Sequence, residues 1–425
     1  MGRRVVITGL GVVSPNGIGI PAFLDAIRQG ISGIRYMPEF ERLNFNCHVT
    51  GMPHFDMDEL RAYLSDVTLN GLKAVGIGYG VKAALDAWTD SGSPVDTDEP
   101  RWETGCVFGS SVGEPEVVKR VITRVDAGEA RKLGSRVVEQ MMNSGVTAYI
   151  SGRLALGNRV ITNSAACATG TQAILMGYDY IKQGQAKRML VGSTEHVDSY
   201  IFGTFDSMRV LARKFNHLPE KASRPMSATA CGFVPGSGAG AMILEDLDFA
   251  LERKANIYAE LAGGATNSGG QRRGGTMTAP GSQGIIKCIA DALADACVAP
   301  GSIDLVCGHL TATAADTLEI RNWARALDRH GDDLPLINSL KSMIGHCLSA
   351  AGSIESVAAV LQIVHGFVHP NINLEDPDPE ILEVAAPEKL PVTMIEKEIN
   401  TVAKANFGFG DVNTCLIFSK YNHNG

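Results

Sequence analysis

Cys167 stands in Asn163-Ser164-Ala165-Ala166-Cys167-Ala168-Thr169-Gly170, a run of small residues after the apolar stretch Arg159-Val160-Ile161-Thr162. From Thr171 to Gln183 a helical pattern follows, with Ile174, Leu175, Tyr178 and Ile181 on one face and Gly184 as a stop. A small-residue turn from strand to helix exposes one side chain at the helix N-terminus. The helix dipole and the free amides there favour a thiolate over a thiol. A thiolate is the nucleophile that can hold an acyl group as a thioester. Read locally, a buried core cysteine fits equally, because free Cys is among the most buried residue types.

Three further segments carry matching chemistry. Asn338-Ser339-Leu340-Lys341-Ser342-Met343-Ile344-Gly345-His346 ends in Gly-His, with a helical pattern from Cys347 to Val364 behind it. Cys307-Gly308-His309-Leu310-Thr311-Ala312-Thr313 follows the strand-like Ile303-Asp304-Leu305-Val306. Near the C-terminus comes Ala405-Asn406-Phe407-Gly408-Phe409-Gly410-Asp411. A Cys, two His and a Lys, each at an element end beside small residues, make a kit for acyl transfer and carbanion chemistry. Singly, each His would more often be structural and Lys341 a surface residue.

These groups need rigid elements behind them. Strand patterns cover Val5–Ile7, Thr104–Val107, Arg159–Ile161, Arg188–Val191, Ala241–Leu244, Tyr258–Leu261, Leu305–Val306, Val402–Ala405 and Cys415–Phe418. Helical patterns cover Ile20–Gly30, Asn70–Ser91, Val137–Tyr149, Gln283–Ala294, Asp316–Leu327 and Ser349–Val364. This alternation predicts α/β layers around mainly buried sheets. Leu374 to Pro391, rich in Asp, Glu and Pro, reads as surface loop.

The motifs together resemble the β-ketoacyl-acyl-carrier-protein synthases of fatty-acid and type II polyketide synthesis, over essentially the whole chain. Besides the segments above, the resemblance rests on Arg4-Val5-Val6-Ile7-Thr8-Gly9-Leu10-Gly11, Phe108-Gly109-Ser110-Ser111-Val112-Gly113, Lys221-Ala222-Ser223-Arg224-Pro225 and Gly232-Phe233-Val234-Pro235-Gly236. Two histidines point to the elongating branch. The resemblance implies the thiolase fold, two similar αβαβα halves in one compact unit, 1–255 and 256–425. It implies that Cys167 carries the acyl chain and that His309 and His346 donate to the enolate oxygen, with Lys341 orienting or tuning them. The amides of Cys167 and Phe409 would form an oxyanion hole, and Phe409 would act as a gate. Thr311, Thr313 and Thr278 would meet a phosphopantetheine arm. Val112 would limit the acyl pocket, Phe407 would line it, and Asp316, Glu319 and Glu355 would support the site. The implied partners are an acyl carrier protein and a second subunit, as a homodimer or with a chain-length-factor-like chain. No separate cofactor or metal is implied.

Departures from the family pattern suggest a specialised branch. Leu310 stands where Gly is usual, the step from Thr313 to Asp316 is one residue short, Ser227 and Ala230-Cys231 replace acidic and basic residues, and Asp411 replaces Gly. None removes a reactive group.

Composition agrees with an ordinary globular protein: 425 residues, 45% hydrophobic and 20% charged, enough for one large or two medium cores. A net charge of −8 gives a nucleic-acid role no support, although Lys119-Arg120 and Arg272-Arg273 could meet an acidic carrier. The nine cysteines include no Cys-x-x-Cys pair, which argues against a zinc site or disulfide scaffold and for a reducing, cytoplasmic setting. No apolar run stands out as membrane-spanning and no signal peptide is evident, since Met1-Gly2-Arg3-Arg4 runs straight into the first strand.

Rival readings fare worse. Gly9-Leu10-Gly11-Val12-Val13-Ser14 lacks the third glycine of a dinucleotide-binding loop, and Pro15 breaks the helix that should follow. A non-catalytic chain-length factor typically lacks the nucleophile. A thiolase typically has a second reactive cysteine near the C-terminus, and Cys415 sits inside a strand pattern. A Cys-His hydrolase would leave the second His, Lys341 and the Phe gate without a task.

Overall fold

The computed structural model describes residues 3–422, so Met1 and Gly2 of the expected run into the first strand lie outside the described residues. Ten strands dominate: β1 Val5–Ser14, β2 Thr104–Gly109, β3 Val160–Ile161, β4 Arg188–Glu195, β5 Gly238–Asp246, β6 Ala259–Ser268, β7 Leu305–Cys307, β8 Leu336–Asn338, β9 Thr401–Gly408 and β10 Val412–Ser419. Their spatial order is β8-β7-β9-β10-β6-β1-β5-β4-β2-β3. The order repeats: β1 to β5 and β6 to β10 are arranged alike. In each set the third and second strands and the second and fourth are parallel, while the fourth, fifth and first pair antiparallel. The two sets join where Val5–Ile7 of β1 pairs with Ala259–Leu261 of β6.

Helices fill three layers around these strands. The central layer is α2 (Thr169–Lys182) and α5 (Ala351–His365). One core gathers Ile174, Leu175, Ile354, Val357 and Leu361 with inward residues of both strand sets. A second packs α1 (Val75–Asp90) on the outer face of the first set, and a third packs α3 (Ser282–Ala296) and α4 (Ala315–Leu327) on that of the second. The result is the α/β layering expected. Each large aliphatic side chain buried here contributes roughly 1.5–3 kcal/mol.

α5 is buried on every side from Ala351 to Ile363. Leu348–His365 reaches 18 residues at a mean hydropathy of 1.3, yet 89% of it is buried inside the protein. Among the described residues one segment therefore has membrane-spanning length and composition, contrary to the sequence reading, in a helix that makes the core. α2 and α5 cross closely: a Cβ on Gly352 would lie 2.2 Å from Thr171 Oγ1, and one on Gly170 only 2.5 Å from the Ser353 nitrogen.

Several boundaries differ from expectation for local reasons. The expected helix Asn70–Ser91 is two, Asp66–Gly71 and α1. The Gln140 side chain takes the amides of Lys73 and Ala74 at the break, 2.7 and 3.2 Å away. Val137–Tyr149 also divides, into Val137–Met141 and Gly145–Leu154, because Met142 turns to extended backbone. α5 starts two residues later than expected, after a 3-10 turn at Leu348–Ala350. Pro115–Asp126 is a helix and Leu336–Asn338 a strand, both unforeseen. Leu374–Pro391 is not simply a surface loop: Leu374, Ile381, Ala385 and Leu390 are buried in the third core, while Glu375 and Asp376 hold Arg224 at 2.9 and 2.7 Å.

Candidate active site

Cys167 lies in a 3-10 turn, Ala166–Ala168, that leads into α2. Ala166 takes the left-handed φ of +48°, which lifts the next residue out of the strand-to-helix path. Gly408 at the end of β9 passes so close that a Cβ there would be 3.0 Å from Ala165 O and 3.2 Å from the Cys167 nitrogen. Glycine lets the β9–β10 hairpin pass this close to the turn. The amides of Phe409 and of Cys167 itself both stabilise charge on Sγ, as does Lys341. Burial still dominates and pushes the thiol up to about 11. The resting form is therefore the thiol, not the thiolate the helix terminus led us to expect; Cys167 faces the channel, but protein surrounds it deeply enough for desolvation to win.

His346 Nε2 is 3.1 Å from Cys167 Sγ. The Leu348 amide donates to His346 Nδ1 at 3.2 Å, so the ring proton of the neutral imidazole sits on Nε2, facing the sulfur. His309 meets His346 edge-on, with ring centroids 5.2 Å apart. Cys167 Sγ and a ring nitrogen from each histidine lie within 4.8 Å of one another. That spacing could suit a metal ion, but the Nε2 lone pair of His346 is lost to its proton in this tautomer. Burial, followed by the Lys341 charge, lowers both histidines: His346 to about 3 and His309 well below its ordinary value. Both rings are neutral across the physiological range.

Behind the histidines lies a buried ionic cluster. Lys341, at the start of the short helix Lys341–Ile344, pairs with Glu355 of α5. Lys404 of β9 pairs with the other Glu355 oxygen at 2.8 Å. All three side chains are at most 3% exposed. Burial would raise Glu355, but the two ammonium groups hold it at about 2. The His309 loop is fixed by carboxylates of α4. Glu319 accepts the amides of His309 and Leu310 at 2.6 and 2.8 Å, and Asp316 those of Thr311, Ala312 and Met226 at 2.8 to 3.0 Å. Desolvation raises Asp316 to about 6 and Glu319 to about 7.

A channel of about 410 Å³, mostly apolar, opens onto Cys167, His309 and His346. Val112, Thr278, Thr311, Thr313, Glu319, Phe407 and Phe409 also line it. Thr311 and Thr313 hydroxyls are 3.0 Å apart. Lys341, Asp316 and Glu355 stand outside the lining and act on it through their partners. The arrangement can form and hold a thioester at Cys167 and donate two N–H groups to an oxyanion beside it.

Comparison with known proteins bears on what this constellation is. Residues 2–250 match the model of the β-ketoacyl synthase N-terminal domain, and residues 258–375 that of the C-terminal domain. The chain belongs to the β-ketoacyl synthase family. Among curated relatives of this synthase family member, the 3-oxoacyl-[acyl-carrier-protein] synthase 2 of Coxiella burnetii is 33% identical over 421 residues, 98% of this chain and 99% of the relative. Among solved structures, the ishigamide ketosynthase/chain length factor superposes with a TM-score of 0.88 at 28% identity, covering 99% of this chain and 100% of that one. A type II PKS acyl-carrier protein in complex with its ketosynthase bound to the hexaketide gives a TM-score of 0.86 at 28% identity, with the same coverage.

Three residues of this synthase's site were missed from sequence. Lys404 and Asn406 are polar, two apart in a strand otherwise apolar from Val402 to Gly408, so they share one face; a charge inside that apolar pattern was the available signal. Asp411, read only as a departure from the family pattern, is fully buried. Its carboxylate accepts the amides of Gln271 and Gly281, each at 2.9 Å. Gly410 N–H donates to Met277 O at 2.7 Å. The Phe409 turn is thus pinned to the segment that carries Thr278.

Proposed function

We propose that the chain is a ketosynthase that condenses an acyl group held on Cys167 with a malonyl group on an acyl carrier protein, releasing carbon dioxide. The observation that carries the reading is the convergence of Cys167, His309 and His346 within 4.8 Å at the floor of one apolar channel. In the first half-reaction Cys167 Sγ attacks the acyl thioester, the carrier's sulfur leaves, and the cysteine proton ends on the carrier thiol. The amides of Cys167 and Phe409 hold the tetrahedral oxyanion. In the second, carbon dioxide leaves the malonyl group and its electron pair becomes an enolate. Nε2–H groups of His309 and His346 donate to the enolate oxygen. The enolate carbon attacks the Cys167 thioester, and the thiolate leaves and regains a proton. Neutral histidines suit this task, and burial together with Lys341 keeps them so.

The remaining roles follow the lining. Thr311, Thr313 and Thr278 receive the phosphopantetheine arm, which carries the substrates without a separate cofactor. Val112 and Phe407 bound the acyl chain, and Phe409 gates it. Asp316, Glu319, Glu355 and Lys341 position the histidines. A second subunit, a copy of this chain or a chain-length-factor-like partner, fits the short edge strand β3 with its exposed Val160 and the exposed Val112, Val138 and Met142. The repeated strand order supports two halves, 1–255 and 256–425. Nine free thiols suit a reducing, cytoplasmic setting.

Intact-mass measurement of the purified protein with acyl- and malonyl-carrier proteins tests the reading. A 3-keto product two carbons longer on the carrier is expected from a self-sufficient enzyme. Acylation at Cys167 with extension only after a second subunit is added would assign the heterodimer. Hydrolysis to free acid would sink the condensing reading.

A further inference from the structure

Lys404 has no task in the chemistry above, yet its ammonium is fully buried. It donates to Asn406 Oδ1 at 2.8 Å, to Ala405 O at 2.6 Å and to Glu355 at 2.8 Å. Thr171 Oγ1 also donates to Asn406 Oδ1. On the other side of the same amide, Asn406 Nδ2 is 3.1 Å from Glu355 Oε2 and 3.0 Å from His309 Nδ1.

An amide has two possible orientations, and its neighbours decide between them. With Nδ2 turned toward Lys404, donor would face donor; with Oδ1 turned toward Glu355, two acceptors would collide. Lys404 on one side and Glu355 on the other therefore allow a single orientation. In it Nδ2–H faces His309 Nδ1, which must accept. The His309 proton is then left on Nε2, the nitrogen that faces the channel.

We propose that Lys404 is a positioning residue that fixes the Nε2–H tautomer of His309 by locking the Asn406 amide. His346 obtains the same tautomer from a backbone amide, that of Leu348, which no side-chain change can remove. Among the described residues no backbone amide donates to His309 Nδ1, and a side-chain relay does the work instead. This inference rests on the condensing reading for its purpose, but not for its observable.

The test is nitrogen-15 NMR of the full chain labelled at histidine, with the His309 signals assigned by their loss in His309→Asn. In the wild type, Nδ1 should show the shift of an unprotonated ring nitrogen and Nε2 that of a protonated one. In Lys404→Met both tautomers should appear. Malonyl decarboxylation should fall by about tenfold or more, while acylation of Cys167, read by intact mass, stays within about threefold as the control for folding. An Nδ1–H tautomer in the wild type overturns the proposal. So does a Lys404→Met protein whose His309 remains wholly Nε2–H. Should Lys404→Met not fold, Asn406→Ser removes the relay with Lys404 in place, and an unchanged single tautomer there overturns it equally. Failure of the wild type to decarboxylate any malonyl carrier would count against the condensing reading and leave the NMR result standing as the test of Lys404.

Discussion

The turn at Cys167 and the turn at Ser349 have the same shape and opposite fates. Each is a 3-10 turn opening a central helix, and the residue before each, Ala166 and Leu348, has a left-handed φ of +48° and +46°. Gly170 and Gly352 follow at the same distance and cross each other. The partner strands differ. β9 ends Asn406-Phe407-Gly408, and β4 ends Ser193-Thr194-Glu195. Thr171 bonds Asn406 just as Ser353 bonds Ser193, so Gly408 and Glu195 hold corresponding places. Gly408 leaves Cys167 open to a channel and brings an amide to it. Glu195 fills the space and takes the Ser349 hydroxyl at 2.6 Å. One scaffold thus gives a reactive group in one half and a sealed hydrogen bond in the other, and what stands at the strand end decides which.

The largest contrast comes from removing each turn's side chain. Cys167→Ala should abolish acyl-enzyme formation, a loss of about three orders of magnitude or more in condensation. Ser349→Ala should leave acylation within about threefold and instead lower stability by about 1–3 kcal/mol, because Glu195 loses a buried donor. Intact mass and urea denaturation read the two effects; equal losses of acylation would break the comparison. Cys167→Gln, which imitates the acylated residue, should retain malonyl decarboxylation, since the histidines and their supports are untouched.

A smaller effect should follow from making the two strand ends more alike. Gly408→Ala puts a methyl within 3.0 Å of Ala165 O, so the hairpin must retreat and carry the Phe409 amide with it. Loss of one oxyanion donor costs about 10²-fold. The acylation rate should fall by about that factor while malonyl decarboxylation changes less. An unaltered acylation rate would show that the amide is not used.

How much of this was legible in the sequence varies with the physics that carried it. The strands at Val5, Thr104, Arg188 and Val402 announced themselves because each is a β-rich run long enough to show a pattern. Leu336–Asn338 did not: three residues carry no period, and unlike the equally short Leu305–Cys307 it has no strand-like run such as Ile303-Asp304-Leu305-Val306 to mark it. Cys167, His309, His346 and Lys341 could be read because small residues at element ends expose a side chain, and the fold brings them together. Their electrostatics could not. A helix N-terminus predicted a thiolate, but the depth of the channel that reverses this is a property of the assembled layers. The repeat of the halves was hidden for the same reason: corresponding positions such as Val191 and Lys404 share a place in the sheet and nothing in chemistry. Lys404 and Asn406 were visible as polar residues in an apolar strand, and only the contact with Glu355 gives them meaning.

The subtlest expected effect is the pH dependence that Glu195 contributes at the sealed turn. Burial raises Glu195 from the ordinary 4.5 to about 7, against hydrogen bonds from Ser111 and Ser349 that lower it. A carboxyl with a raised value in the fold binds its proton more tightly there than in the unfolded chain. Its contribution therefore weakens stability progressively as pH climbs from about 4.5 to 7 and is constant above. Glu195→Gln keeps the shape and removes the titration. The difference in unfolding free energy, variant minus wild type, should thus grow in the variant's favour across that window and flatten beyond it. The buried histidines and the raised carboxyls Asp316 and Glu319 titrate identically in both proteins, so they cancel in the difference. Urea unfolding at pH 5, 6, 7 and 8 measures it. A difference that is flat throughout would mean that Glu195 is already ionised at pH 5. The sealed turn would then be held by a charged carboxylate, like the Glu355 carboxylate that Lys341 and Lys404 keep ionised behind the histidines, and the two halves would be electrostatically more alike than their residues suggest.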